Sequence, residues 1–218
     1  MSRGCLTLPT VIHVVDDDPS FRAAISRLLQ KVGYEVTAYE SASQLLEQLP
    51  DDSRPSCILL DVQIPGLTGP QLQERLAERG FTLPIIFLTG HGDIPTSVQA
   101  VKAGAEDFLT KPVTEEKLFA AIERAVARHQ ATREQRDRLS ALRTLVATLT
   151  PREREVFDLV VQGKPNKQIA HEIGATERTV KAHRHKVMEK MRVQSLAELV
   201  SIAVSLGIQP KAGSAVRD

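Results

Sequence analysis

Between Val11 and about Glu123, short β-rich apolar runs alternate with helical patterns of roughly 10 to 14 residues, the signature of a parallel sheet with crossover helices. Five runs read as strands: VIHVVD (11–16), YEVTA (34–38), SCILLD (56–61), PIIFLT (84–89) and AEDFLT (105–110). The punctuation between them agrees. Pro19 opens a helix that ends before Gly33, Thr68 caps one that ends near Gly80, and Gly104 follows one that begins around Asp93 and Pro95. The expected unit is a doubly wound α/β sheet, in which ligands sit beyond the carboxyl ends of the strands, where strand order reverses.

Polar residues collect at those carboxyl ends. Asp16 and Asp17 close the first strand, Asp61 the third and Thr89 the fourth, and Lys111 follows the fifth. Each alone is ordinary: an Asp at a strand end usually caps a helix, as Asp18 before Pro19 does, and a lone lysine is usually a surface lysine. Together they form a cluster of carboxylates that is costly to fold together unless a cation sits among them or some stay protonated. Mg²⁺ suits it, because it takes hard oxygens and often bridges protein carboxylates to a phosphate. A carboxylate placed there can attack a phosphoryl group, while the metal and a lysine neutralise the charge in transfer.

The remainder of the 218 residues has a different character. A helix pattern starting at Thr114 carries Leu118, Ala121, Ile122, Ala125 and Val126; ARHQATREQRDR (127–138) has almost no apolar face; Leu139, Leu142, Val146 and Leu149 then resume helical spacing. This reads as a helical linker whose apolar stripe serves either a dimer seam or the chain's own domains. After it, Thr150, Pro151 and Glu153 form a capping-box start. Helices at about 167–173, 177–191 and 195–205 follow, with turns at Gly163 and Gly174 and no strand candidate. Charge divides the same way: residues 1–126 carry 11 basic against 17 acidic side chains, and residues 150–218 carry 12 against 8. A basic carboxy-terminal unit can attract phosphate, although a solvated surface explains so modest a charge equally well taken alone. Its third helix presents Arg178, Lys181, Ala182, Arg184, His185 and Lys186 opposite the packing residues Val180, Val187 and Met191, and such a helix fits a DNA major groove.

In this order and spacing, VVDDD, LLDVQIPGLTG, FLTGHGD and FLTKP resemble the receiver domains of two-component response regulators, and TPRERE, NKQIA and RTVKAHR resemble the LuxR-type DNA-binding domain. The whole chain is similar to the FixJ/NarL class. The resemblance implies a flavodoxin-like receiver with a five-stranded parallel sheet (10–126), a long helical linker (127–148) and an all-α four-helix helix-turn-helix domain (149–210). Asp61 would be the phosphorylated residue. Mg²⁺ would be held by Asp17, Asp61 and the main-chain carbonyl of Gln63, with Asp16 acting mainly through water. Thr89 and Lys111 would contact the phosphoryl group, Phe108 would be the switch aromatic, and the Lys111–Pro112 bond would be cis. Val113 departs from the Phe usual there. On DNA, Lys181, Ala182 and His185 would face bases, while Lys167, Arg178, Arg184 and Lys186 would meet phosphates. His183 would support the helix.

The implied function is phosphorylation-dependent transcriptional regulation, with a sensor histidine kinase as donor, double-stranded DNA and RNA polymerase as partners, and homodimerisation on phosphorylation. No enzymatic activity is implied beyond the receiver's own phosphorylation and slow dephosphorylation. A second pattern, Asp16 to Ser20, fits the DxDx[TS] motif of haloacid-dehalogenase-like phosphatases, but it leaves Asp61 without a role and provides no cap domain. RNA binding lacks support, since neither RNP aromatics nor a GXXG clamp is present. Cys5 and Cys57 are too far apart in sequence to suggest a metal pair or disulfide framework. With no membrane span or leader pattern, the expected location is cytoplasmic.

Overall fold

A computed structural model describes residues 10–51, 53–90 and 105–208. Five strands are present: β1 (Val11–Val15), β2 (Glu35–Tyr39), β3 (Ser56–Asp61), β4 (Ile85–Thr89) and β5 (Asp107–Thr110). They form one parallel sheet in the order β2-β1-β3-β4-β5. The order reverses between β1 and β3, so the carboxyl ends of these two strands frame the crevice such sheets use for ligands. Central strand β3 is buried along its whole length, as its apolar composition demands when both faces are covered. Its period of two divides the core. Ile58 and Leu60 join Val15 and Phe87 on one face, while Cys57 and Leu59 join Ile12, Ile86 and Leu88 on the other.

The crossover helices start where their caps stand. Asp18 accepts from the backbone N–H of Ser20 and Phe21 and starts α1 (Pro19–Lys31); Ser41 caps α2 (Ala42–Glu47); Thr68 and Gln71 close a capping box on α3 (Gly69–Glu78). Sequence reading did not name α2. The second strand starts one residue later than expected, because Tyr39 pairs with Val15 and is buried while Tyr34 stays outside the ladder. The expected helix from about Asp93 to Ala103, with Gly104, lies outside the described residues, as does Cys5.

From Glu115 to Ala147 a single helix, α4, continues for 33 residues. Leu118, Ala121, Ile122 and Ala125 are fully buried against the sheet. The polar stretch that follows is not uniformly solvated: His129 is buried and accepts a 3.1 Å hydrogen bond from the backbone N–H of Ser56 at the start of β3. The chain divides into two compact units, Met1–Arg133 and Glu134–Asp218.

In the second unit, α5 (Pro151–Val161), α6 (Asn166–Glu172), α7 (Glu177–Lys190) and α8 (Leu196–Ser205) enclose a core of Val156, Phe157, Val160, Ile169, Val180, Val187, Met191, Leu199 and Ala203. Val146, with Leu145 and Leu149 beside it, packs into the same core. Part of the stripe read as either a dimer seam or a self-packing face is therefore consumed by this unit. No strand occurs among the described residues of this unit.

Candidate functional site

The ends of β1, β3, β4 and β5 bring four of the anticipated side chains together. Asp16, one residue past β1, is 1% exposed; Asp61, the last residue of β3, 7%; Thr89, the last of β4, 3%. Lys111 is drawn alongside by a 2.6 Å hydrogen bond from its backbone N–H to the Thr89 carbonyl. Its Nζ then lies 2.6 Å from Asp16 Oδ2 and 3.1 Å from Asp61 Oδ1. One ammonium thus separates two carboxylates that would otherwise repel in a poorly solvated crevice.

The groups perturb one another as that arrangement requires. Burial raises the Asp61 carboxyl above the usual carboxylate range and Asp16 adds to the rise, against the pull of Lys111 and the backbone N–H of Gln63. Burial disfavours the Lys111 ammonium, but its hydrogen bonds to Asp16 and Asp61 and their charges together outweigh this and raise its pKa. Asp16 is fixed further by the backbone N–H of Asp18, 2.9 Å from Oδ1, and Arg22 Nη1 donates to the Asp16 carbonyl at 2.6 Å. Sequence reading did not single out Arg22. Its signal was only its place in the first turns of the helix leaving the acidic pair.

Asp17 and Gln63 are solvent-exposed at the same edge. The donor set contains oxygens only, which suits a hard cation such as Mg²⁺. Among the described residues no three His, Cys, Asp or Glu side chains form a ready metal cluster; Asp16 and Asp61 converge instead on Lys111. Phe108 is half-buried against the core, its ring centroid 6.3 Å from that of Phe87. The Lys111–Pro112 peptide bond is cis.

In the second unit, α6 and α7 are joined by a turn through Gly174, whose φ of 64° favours glycine. Thr176 then caps α7. Val180, Val187 and Met191 are buried, which turns Arg178, Lys181, Ala182, His185 and Lys186 outward. Lys167 is exposed on α6. Arg184 is less free than anticipated: its Nη1 donates to Asn166 Oδ1 at 2.8 Å and ties the two helices together. His183 is half-buried, and its Nδ1 has no hydrogen-bond partner among the described residues. No described helix is long and apolar enough to cross a membrane.

Comparison with known proteins covers both units. The profile of the response regulator receiver domain matches residues 12–123, and that of the bacterial regulatory proteins of the luxR family matches residues 147–203. Nodulation protein W of Bradyrhizobium diazoefficiens is 45% identical over 199 residues, spanning 91% of this chain and 87% of its own. Transcriptional regulatory protein FixJ of Azorhizobium caulinodans is 40% identical over 200 residues, 91% of this chain and 94% of its own. Among solved structures, response regulator StyR superposes with a TM-score of 0.81 at 42% identity, covering 90% of this chain and 98% of that one.

Proposed function

Since the chain belongs to the two-component response regulators, as a phosphorylation-dependent transcriptional regulator that joins a receiver to a LuxR-type DNA-binding domain, we propose that Asp61 accepts the phosphoryl group. The observation that carries this is the convergence of Lys111 Nζ on Asp61 and Asp16 at the strand-order reversal. A family with these two domains takes its phosphoryl group from a histidine kinase and acts on DNA.

An ionised oxygen of Asp61 forms the new O–P bond while the donor histidine's N–P bond breaks, the nitrogen leaving with the electron pair. Lys111 neutralises an equatorial oxygen, and the Thr89 hydroxyl binds another. Mg²⁺ held by Asp17, Asp61 and the Gln63 carbonyl, with Asp16 through water, would supply charge neutralisation at the phosphoryl group. Movement of Thr89 toward the phosphoryl group lets Phe108 turn inward, a two-state element that phosphorylation biases. The active form is a homodimer on double-stranded DNA that contacts RNA polymerase. Lys181, Ala182 and His185 face bases, and Lys167, Arg178, Arg184 and Lys186 meet phosphates. Beyond its own phosphorylation and dephosphorylation the chain turns over no substrate.

Phosphopeptide mapping after incubation with acetyl phosphate and Mg²⁺ tests the assignment. Label is expected on the peptide containing Asp61 and is lost in Asp61→Asn. Label on Asp16 instead would make the chain's chemistry that of an aspartate-based phosphatase.

A further inference from the structure

The Lys111 ammonium has a third neighbour to which the phosphoryl chemistry assigns no role. Its Nζ lies 4.0 Å from the centroid of the Phe21 ring, well inside the roughly 6 Å at which a cation is attracted by an aromatic face. An ammonium has three N–H donors. Two are directed by Asp16 Oδ2 and Asp61 Oδ1, and the aromatic face covers a further side of the group.

The backbone that carries the ring is tied to the loop after β1, and the ring has a packing surface. The Phe21 backbone N–H donates to Asp18 Oδ1 at 3.3 Å, and Arg22 donates to the Asp16 carbonyl. The ring itself packs at the edge of the core that also holds Ile25, Leu118 and Ala121. The first turn of α1 is therefore fixed to the same loop that carries Asp16, which places the Phe21 ring beside the pocket. An apolar residue on α1 needs only bulk to fill a core. This one also offers a π face to the cation whose position the transfer depends on.

We propose that Phe21 is a positioning residue for Lys111, holding the ammonium over the acceptor carboxylate before a phosphoryl group arrives. The proposal rests on Asp61 being the phosphoacceptor. A lysine side chain is a flexible four-carbon stem with a compact charge, and it loses considerable rotamer freedom when pinned. With the ring present, that ordering is completed in the resting protein. Without it, part of the ordering falls on the transfer step, in which an Asp61 oxygen bonds to phosphorus while acetate leaves acetyl phosphate with its electron pair.

The test uses the full-length chain and two readouts. In the Mg²⁺-free protein, the ε-methylene protons of Lys111 should show an upfield ring-current shift in NMR spectra; Phe21→Tyr should keep it and Phe21→Leu lose it. With acetyl phosphate and Mg²⁺, phosphoryl uptake should slow roughly twofold to thirtyfold in Phe21→Leu, the range a cation–π contact spans, and recover in Phe21→Tyr. Phe21→Met replaces the leucine variant if that one fails to fold. Absence of the ring-current shift in the wild type, or wild-type uptake in a folded Phe21→Leu, overturns the proposal. A wild type that takes no label on Asp61 refutes the phosphoacceptor reading instead, and the ring-current comparison still decides whether Phe21 holds Lys111.

Discussion

Gly69 shows how closely the end of β3 is packed. A Cβ added there would stand 2.7 Å from Phe87 Cε1 and 3.0 Å from the Asp61 carbonyl oxygen, and Phe87 is fully buried, so its ring has nowhere to retreat. Gly69→Ala should lower stability by about 1–3 kcal/mol, as overpacking does, and should slow phosphoryl uptake because the displaced backbone is that of Asp61. Denaturant midpoints and uptake rates check both effects. His13 sets a different limit. It is 5% exposed on β1, Tyr39 Oη lies 3.3 Å from its Nδ1, and burial with Arg54 nearby lowers its pKa from 6.5 to about 4. The unfolded chain takes up this proton near pH 6.5 and the folded chain only near 4, so stability present above 6.5 is lost as pH falls through that window. The loss approaches roughly 3 kcal/mol. His13→Leu should flatten the stability profile between pH 6.5 and 4; an unchanged slope would assign the acid sensitivity to carboxylates. Asp16, Asp61, Thr89 and Lys111 were legible because each is a polar residue where an apolar strand ends. His13 and Phe21 were not, since one aromatic ring within an apolar pattern reads as core.

Among the elements, legibility followed length and capping. β3 was read at its full extent because its apolar run Cys57–Leu60 is bounded by Ser56 and Asp61. The six-residue helix α2 was too short to show a period. The apolar stripe at the end of α4 could not be apportioned because periodicity reveals a face and not its partner; Val146 shows that the stripe at least partly serves its own unit. The start of α5 was explicit in the sequence and carries more than the motif suggested. Thr150 and Glu153 exchange hydrogen bonds, and Glu153 Oε2 also accepts from Lys190 Nζ at 2.6 Å, which with the backbone bond lowers its pKa to about 2. Lys190 in turn donates to the Thr148 carbonyl at 3.0 Å. Thr150→Ala should therefore destabilise the DNA-binding unit by about 1 kcal/mol. Because Glu153 is held ionised, its contribution should persist on acidification until the pH falls through the interval from 4.5 toward 2. Circular dichroism of the full chain under denaturant, at pH 7, pH 4 and pH 2, reads both.

At the scale of the whole molecule, the Lys111–Asp61 crevice and the outward basic helix α7 belong to separate compact units, and the proposed control by phosphorylation is a shift in population. The first 126 residues are net acidic and the last 69 net basic. The proposed dimerisation would give the population change a measurable form. Each phosphate neutralised on duplex DNA contributes about 0.9 to the slope of log affinity against log salt concentration. Two readers on two half-sites make about twice the contacts of one, so phosphorylation should raise that slope toward double. In Asp61→Asn, acetyl phosphate should leave slope and affinity unchanged. Lys186→Ala should reduce the slope by about 1 for each bound reader and weaken all sequences alike, whereas Lys181→Ala should blunt discrimination between sites. If phosphorylation raised affinity at constant slope, one reader would be acting per site, and dimerisation would have to be removed from the mechanism while Asp61 kept its place in it.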